Sequence, residues 1–197
     1  MINIIIGLMN SGKTLDMTQK LFLEYCNGKT IYSNYHLSFP HIRVNQDFLV
    51  YIAKKNYVLK NVAMGFDELW IWLDARKSMS DTSILSSYFF LQSSKDDTNI
   101  YMTAQDIKQL EMRLRNNSHK ISHCSRVLLV NGSFKFIDNE KRVLTEEQQN
   151  KLYIKVNEFK RITIGITTDF HHYLTKYIYA KNIYPLYNTF EKVIKNK

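Results

Sequence analysis

The sequence predicts an α/β fold, a parallel sheet with helices on its faces. Three observations carry that prediction. Apolar strand-like runs alternate with helix-like segments through most of the first two thirds of the chain. The first run, Ile2–Ile6, is continuously apolar, as in a strand buried on both faces. That run feeds directly into Gly7-Leu8-Met9-Asn10-Ser11-Gly12-Lys13-Thr14, a glycine-bounded loop that opens a helical pattern.

The elements follow in order. After the loop, Leu15 to about Tyr25 reads as a helix with Leu15, Leu21, Phe22 and Tyr25 apolar, and Gly28 ends it. Thr30–Ser33 is a short strand. Residues 34–45 contain Pro40 and read as loop or edge structure, and Gln46–Lys55 as helix. Tyr57–Phe66 is a buried strand ending in Asp67-Glu68. Ser80–Ser94 is expected to be helical, Ile100–Thr103 a strand, and Gln105–Asn116 a helix with Ile107, Leu110 and Leu114 inward. Beyond residue 120 the pattern turns β-rich. Arg126–Val130, Phe134–Asp138, Leu152–Lys160 and Arg161–Thr167 read as strands with tight turns, two of them at Gly132 and Asp138-Asn139. Asp169–Ala180 reads as a short helix. The division expected is a core over 1–125 and a β-rich part of the same compact domain over 126–197.

The bulk properties narrow the classes. With 197 residues, the chain suffices for one domain with a real core. No apolar run reaches the roughly 18–20 residues of a membrane span, and no basic segment precedes Ile2–Ile6, so neither anchor nor signal peptide is expected. Cys26 and Cys124 show no disulfide or metal spacing, which suits a reducing, cytosolic setting. The net charge of +9 is uneven: residues 1–100 hold 10 Lys and Arg against 9 Asp and Glu, residues 101–197 hold 17 against 9. A basic second half suits a polyanion such as nucleic acid, and equally a Lys-rich solvated surface.

The loop states its chemistry. Gly7 and Gly12 allow a tight turn and close approach to phosphate, and the N–H groups from about Asn10 through Ser11 to Thr14 and Leu15 face the anion at a helix N-terminus. Lys13 is expected to reach the β- and γ-phosphates of a nucleoside triphosphate, ATP or GTP, and the Thr14 hydroxyl to bind Mg2+. Val62-Ala63-Met64-Gly65-Phe66-Asp67-Glu68 is an apolar strand ending in acids. Asp67 is the metal carboxylate and Glu68 the general base for an attacking water, a pair that favours hydrolysis over transfer to a metabolite. At the next strand tip Thr103 and Gln105 are candidates for touching the γ-phosphate and water, with Gln105 preferred. Arg113 and Arg115 follow. Either is a candidate arginine finger supplied to a neighbouring subunit, or a basic helix end matching the dipole. Arg76 is a candidate for nucleotide, neighbour or DNA contact, or for an ordinary ion pair. His119, His123 and Cys124 lack the further ligands that zinc requires.

Together these stretches resemble a known family. Besides the loop, they are Tyr32-Ser33-Asn34-Tyr35-His36-Leu37, Phe66-Asp67-Glu68 through Asp74-Ala75-Arg76-Lys77-Ser78, and Tyr88-Phe89-Phe90-Leu91-Gln92-Ser93-Ser94-Lys95. Ile100 through Thr103 to Gln105, Arg113-Leu114-Arg115, and Tyr187-Asn188-Thr189 with Glu191 complete the set. The sequence is similar to the small viral ATPases of the FtsK–HerA superfamily, genome-packaging motors of tailless archaeal and bacterial viruses, with Zot-like phage morphogenesis ATPases as relatives. The resemblance implies a RecA-like (ASCE) P-loop NTPase core, ATP with Mg2+, and a homo-oligomeric ring of five or six subunits around double-stranded DNA. It also implies a capsid or membrane protein at a portal vertex as docking partner, and a place in the infected host's cytoplasm or on the virion. By it, Gly12, Lys13 and Thr14 hold nucleotide, Asp67 and Glu68 serve as metal ligand and base, Gln105 senses, and Arg113 or Arg115 acts in trans. The alternatives are a Zot-like virion assembly and export ATPase, or a P-loop kinase or nucleotide-gated binding module.

Overall fold

The computed structural model describes residues 1–55, 57–72, 88–92, 97–136, 152–164 and 168–188. The strands are β1 (Ile2–Ile6), β2 (Thr30–Ser33), β3 (Ile42–Arg43), β4 (Val62–Phe66), β5 (Thr98–Ala104), β6 (Lys120–Val130), β7 (Ser133–Phe136), β8 (Leu152–Ile164) and β9 (Thr168–Tyr179). They form one sheet in the order β3-β2-β4-β5-β1-β6-β8-β9, with β7 paired to β6. The neighbours from β3 through β6 are parallel, and the pairings among β6, β7, β8 and β9 are antiparallel. Strand β6 belongs to both regimes and carries residue 125, where the core was expected to end.

Helix α1 (Lys13–Cys26) follows the loop, and α2 (Gln46–Lys54) follows β3. In α1, Leu15, Met17 and Leu21 are buried. The helix ends where Asn27 and Gly28 donate to the Leu23 and Tyr25 carbonyls, with Gly28 at φ +84°. Asn45 caps α2 by accepting the Phe48 N–H. Two apolar clusters cover the faces of the sheet. One joins Ile2 and Ile4 to Leu49, Met64, Phe66 and Ile100, and the other joins Ile5 to Leu15, Leu21, Cys124, Val156 and Ile178. Gly65 is what lets α1 lie close to β4. A Cβ there would fall 2.4 Å from Leu21 Cδ1.

Several expectations are corrected. The buried strand begins at Val62, not Tyr57, because Asn61 adopts a left-handed φ of +53°. The helix expected over Gln105–Asn116 is broken. Asp106 caps a short 3-10 turn, Ile107–Gln109, by accepting the Lys108 N–H, and the Gln109 side chain accepts the Gln105 and Asp106 N–H groups. Leu110 is then extended and fully buried before a five-residue helix, Met112–Asn116. The strands expected over 152–160 and 161–167 are one strand, β8, with no turn between Lys160 and Arg161.

The helix expected over Asp169–Ala180 is strand β9. The ladder that pairs it residue by residue with β8 settles this, and Ile178 is buried while Tyr177 beside it is exposed, as alternation along a strand requires. Strand β6 starts at Lys120, six residues before the expected Arg126. The Gly132 turn is present, with Asn131 and Gly132 both at positive φ. Residues 88–92 of the segment expected as helix over 80–94 are helical, and the rest lies outside the described residues. So do the Asp138-Asn139 turn, the Asp74 to Ser78 stretch with Arg76, Lys95, and Thr189 with Glu191. Among the described residues no helix is long and apolar enough to cross a membrane.

Candidate active site

The parallel order places β5 between β1 and β4, so the loop after β1, the acids after β4 and the tip of β5 meet at the carboxyl ends of the strands. The loop is a sequence of turns. The Ser11 N–H donates to the Leu8 carbonyl at 3.2 Å, Asn10 sits at φ +60°, and Gly12 caps α1 at φ +94°. Gly12 is required twice over. Its φ suits glycine, and a Cβ there would lie 2.1 Å from Ile154 Cδ1 on β8.

Lys13 Nζ donates to the Leu8 carbonyl at 3.1 Å and lies 3.8 Å from Glu68 Oε1. Thr14 Oγ1 donates to the Asp67 carboxylate at 3.0 and 3.1 Å. From β5, the Thr103 hydroxyl donates to Asp67 Oδ1 at 2.7 Å and accepts the Glu68 N–H at 2.8 Å. Asn34, just past β2, clamps the Asp67 backbone from the other side. Its amide donates to the Asp67 carbonyl at 2.8 Å and its oxygen accepts the Asp67 N–H at 2.7 Å. Glu68 is held at φ +50°, a left-handed conformation uncommon for glutamate, and its carboxylate accepts the Trp70 indole N–H. Strain of this kind persists where surrounding bonds enforce it, and here Thr103 and Trp70 do so.

Burial pushes the Asp67 carboxyl above its ordinary value, against the hydrogen bond from Thr103, and Glu68 beside it raises it further. Thr14 and Lys13 act in the lowering sense. A desolvated carboxylate beside a second carboxylate and a threonine hydroxyl, all oxygen donors, fits a hard divalent cation, and Asp67 with Thr14 would hold Mg2+.

These groups line a cavity of about 320 Å³. Met9, Asn10, Gly12, Lys13, Thr14, Leu15, Asp67 and Glu68 are among the residues that line it. Gly7 and Ser11 support the loop from beneath. Ser11 is buried, and a Cβ on Gly7 would meet its Oγ at 2.5 Å. Gln105, Arg113 and Arg115 do not line the cavity. Gln105 lies one residue past β5, Arg113 pairs with Glu111 at 2.8 Å and sits over the Tyr88 ring, and Arg115 Nε is buried.

Of the two strand-tip candidates it is Thr103, not the preferred Gln105, that reaches the acids, and Asn34, to which sequence reading gave no role, braces Asp67 with it. Other residues were missed. Arg126, Ile154, Tyr184 and Tyr187 line the cavity from beyond β1. Only the strand-tip position of Thr103 was a local signal; the others arrive by long-range pairing. His119, by contrast, serves the sheet: its Nδ1 accepts the Ile2 N–H at 3.0 Å. Among the described residues no group of three or more His, Cys, Asp and Glu side chains could hold a metal ion.

No family model matches the chain, and no curated protein matches it. Solved structures do. The N-terminal domain of zonular occludens toxin from Neisseria meningitidis superimposes with a TM-score of 0.60 at 19% identity, covering 95% of this chain and 98% of that one. The ATPase domain of G40P matches with a TM-score of 0.54 at 10% identity, over 96% and 84%. The genome-packaging NTPase B204 of Sulfolobus turreted icosahedral virus 2 matches at 12% identity over 62% of this chain and 74% of that one, with a TM-score of 0.48. The chain has the fold of a P-loop NTPase, a mostly parallel sheet flanked by helices.

Proposed function

We propose that the chain is an ATP-hydrolysing motor that moves double-stranded DNA and packages a viral genome into a preformed capsid. The observation that carries hydrolysis is the convergence of Lys13, Thr14, Asp67 and Glu68 on one cavity. The loop N–H groups and Lys13 bind the triphosphate. Mg2+, held by Thr14 and Asp67, would supply charge neutralisation on the phosphates. Asn34 and Thr103 fix Asp67 in place. Glu68 takes the proton of the water that attacks the γ-phosphorus as the bond to the ADP oxygen breaks.

Gln105, at the tip of β5, reports the γ-phosphate in this reading. Arg113 or Arg115 serves the site of a neighbouring copy in a ring. The uneven charge, with its excess in residues 101–197, supports a polyanionic load gripped through phosphates.

A second reading, a Zot-like virion assembly and export ATPase, draws support from the overlay on the toxin domain, which runs nearly end to end in both chains. One experiment separates the two. Double-stranded DNA is expected to raise ATP turnover severalfold, with the effect fading as salt rises. Turnover indifferent to DNA at every salt concentration would remove the DNA load and favour the second reading.

A further inference from the structure

Two chemically different groups of residues line the cavity. One is the phosphate loop with its acids. The other is built by residues far away in sequence: Arg126 from β6, Ile154 from β8, and Tyr184 and Tyr187 from the segment after β9. That segment turns back from the antiparallel edge of the sheet toward β2, where Tyr187 bridges to Leu37 and the Ser38 N–H donates to the Leu186 carbonyl at 2.9 Å.

The tyrosines are placed differently. The Tyr187 ring is partly buried and stands edge-on to Tyr35, with centroids 6.3 Å apart. Tyr35 is itself fully buried, its hydroxyl 2.8 Å from that of Thr18 on α1. Tyr187 is thus braced through Tyr35 against the helix that starts at the phosphate loop. Tyr184 stands on a 3-10 turn stiffened by Pro185, with 43% of its surface exposed although it lines the cavity. A large ring left in water at a cavity wall has apolar area to gain from a flat partner. Ile154 adds an apolar surface that touches the loop at Gly12, and Arg126 adds a cation. Aromatic faces, an aliphatic side chain and a guanidinium suit a planar heteroaromatic ring joined to an anion. Only the guanidinium has a use for a bare polyphosphate; the rings and the aliphatic side chain have none.

We propose that Tyr184 and Tyr187 form the base-binding wall of the nucleotide site, with Tyr184 stacking on the nucleobase and Tyr187 closing the pocket behind it. The proposal rests on the reading of the loop as a nucleoside-triphosphate site. It assigns the hold on the base to the antiparallel half of the molecule and its C-terminal segment, and the hold on the phosphates to the parallel half.

The test compares ATP with inorganic tripolyphosphate, each titrated calorimetrically into the full chain with magnesium. The intact chain is expected to bind ATP at least about tenfold more tightly than tripolyphosphate. Tyr184→Ala, chosen because the ring is exposed and its removal leaves the core intact, weakens ATP about tenfold and leaves tripolyphosphate unchanged. Tyr184→Phe keeps the wild-type preference. Tyr187→Leu, checked for folding by circular dichroism, shows the same selective loss. Equal binding of the two ligands by the intact chain, or an unchanged preference in Tyr184→Ala, overturns the proposal while leaving the phosphate site standing. Failure of both ligands to bind overturns the nucleotide reading itself, and this proposal with it.

Discussion

The parallel strands β1 to β5 and the antiparallel strands β6 to β9 share one sheet but are built by different rules. In the parallel half the strands are short, the central β1 and β4 are buried nearly throughout, and each chemical group stands at or near a strand end. The loop follows β1, Asn34 follows β2, Asp67-Glu68 follows β4 and Thr103 is the last residue but one of β5. In the antiparallel half β6, β8 and β9 are long, running 11, 13 and 12 residues, and only β7 is short among the described strands. Their contribution to the cavity depends on register: Arg126 lies opposite Ile154, and that pairing sets Ile154 over Gly12. Local motifs make the first half of the site, and long-range pairing makes the second.

The largest effect expected from breaking one half alone is on Lys13. Lys13→Ala removes the loop cation, and nucleotide affinity falls about 100-fold or more, measured by calorimetry. Thermal stability stays close to wild type, since among the described residues Lys13 Nζ makes a carbonyl contact and a distant ion pair.

The next test addresses the seam. Gly12→Ala destabilises the chain by about 2–3 kcal/mol in chemical denaturation, from its positive φ together with the clash with Ile154. Adding Ile154→Ala recovers the steric part and leaves the φ part. A double variant no more stable than the sum of the singles would mean that β8 does not press on the loop.

The smallest effect concerns charge across the same seam. Glu158 on β8 is buried, which alone would raise its pKa. Lys120 on β6, Lys20 on α1 and Lys176 on β9 outweigh burial and hold it down, from 4.5 to about 2. A folded-state pKa below the unfolded one stabilises the protein above about pH 4.5, and that stability is lost as pH falls toward 2. Glu158→Gln therefore flattens the acid limb of a stability–pH curve, removing about 1–2 kcal/mol of its change after allowance for screening. An acid limb identical to wild type would show that the three lysines do not act through Glu158.

The same division explains what was legible in the sequence. Gly7 to Thr14 and Val62 to Glu68 were readable because a phosphate loop and an acid-tipped strand need particular residue types at fixed local spacing. β9 was misread because apolar and aromatic residues crowd Phe170 to Tyr179. Only its pairing with β8 decides between periods of two and 3.6. The broken helix after Gln105 was hidden because Ile107, Leu110 and Leu114 keep a helical spacing while Asp106 and Gln109 close a separate turn. Asn34 looked like loop polarity, since nothing nearby in sequence reveals a backbone clamp 33 residues away. The places of Arg126 and Tyr184 at the cavity were hidden for the same reason, and Tyr187 stood out only as part of a family-like stretch, with no role attached.

The central claim is that Glu68, held by Thr103 and Trp70 beside Lys13, is the base of an ATP-hydrolysing site. The most direct measurement pairs ATP binding with phosphate release in Glu68→Gln, which keeps the shape of the side chain and removes its capacity to take a proton. The account predicts wild-type affinity for Mg-ATP and phosphate release slowed about 100- to 10,000-fold, the typical share of a general base. Phosphate release at the wild-type rate, with binding intact, would contradict it.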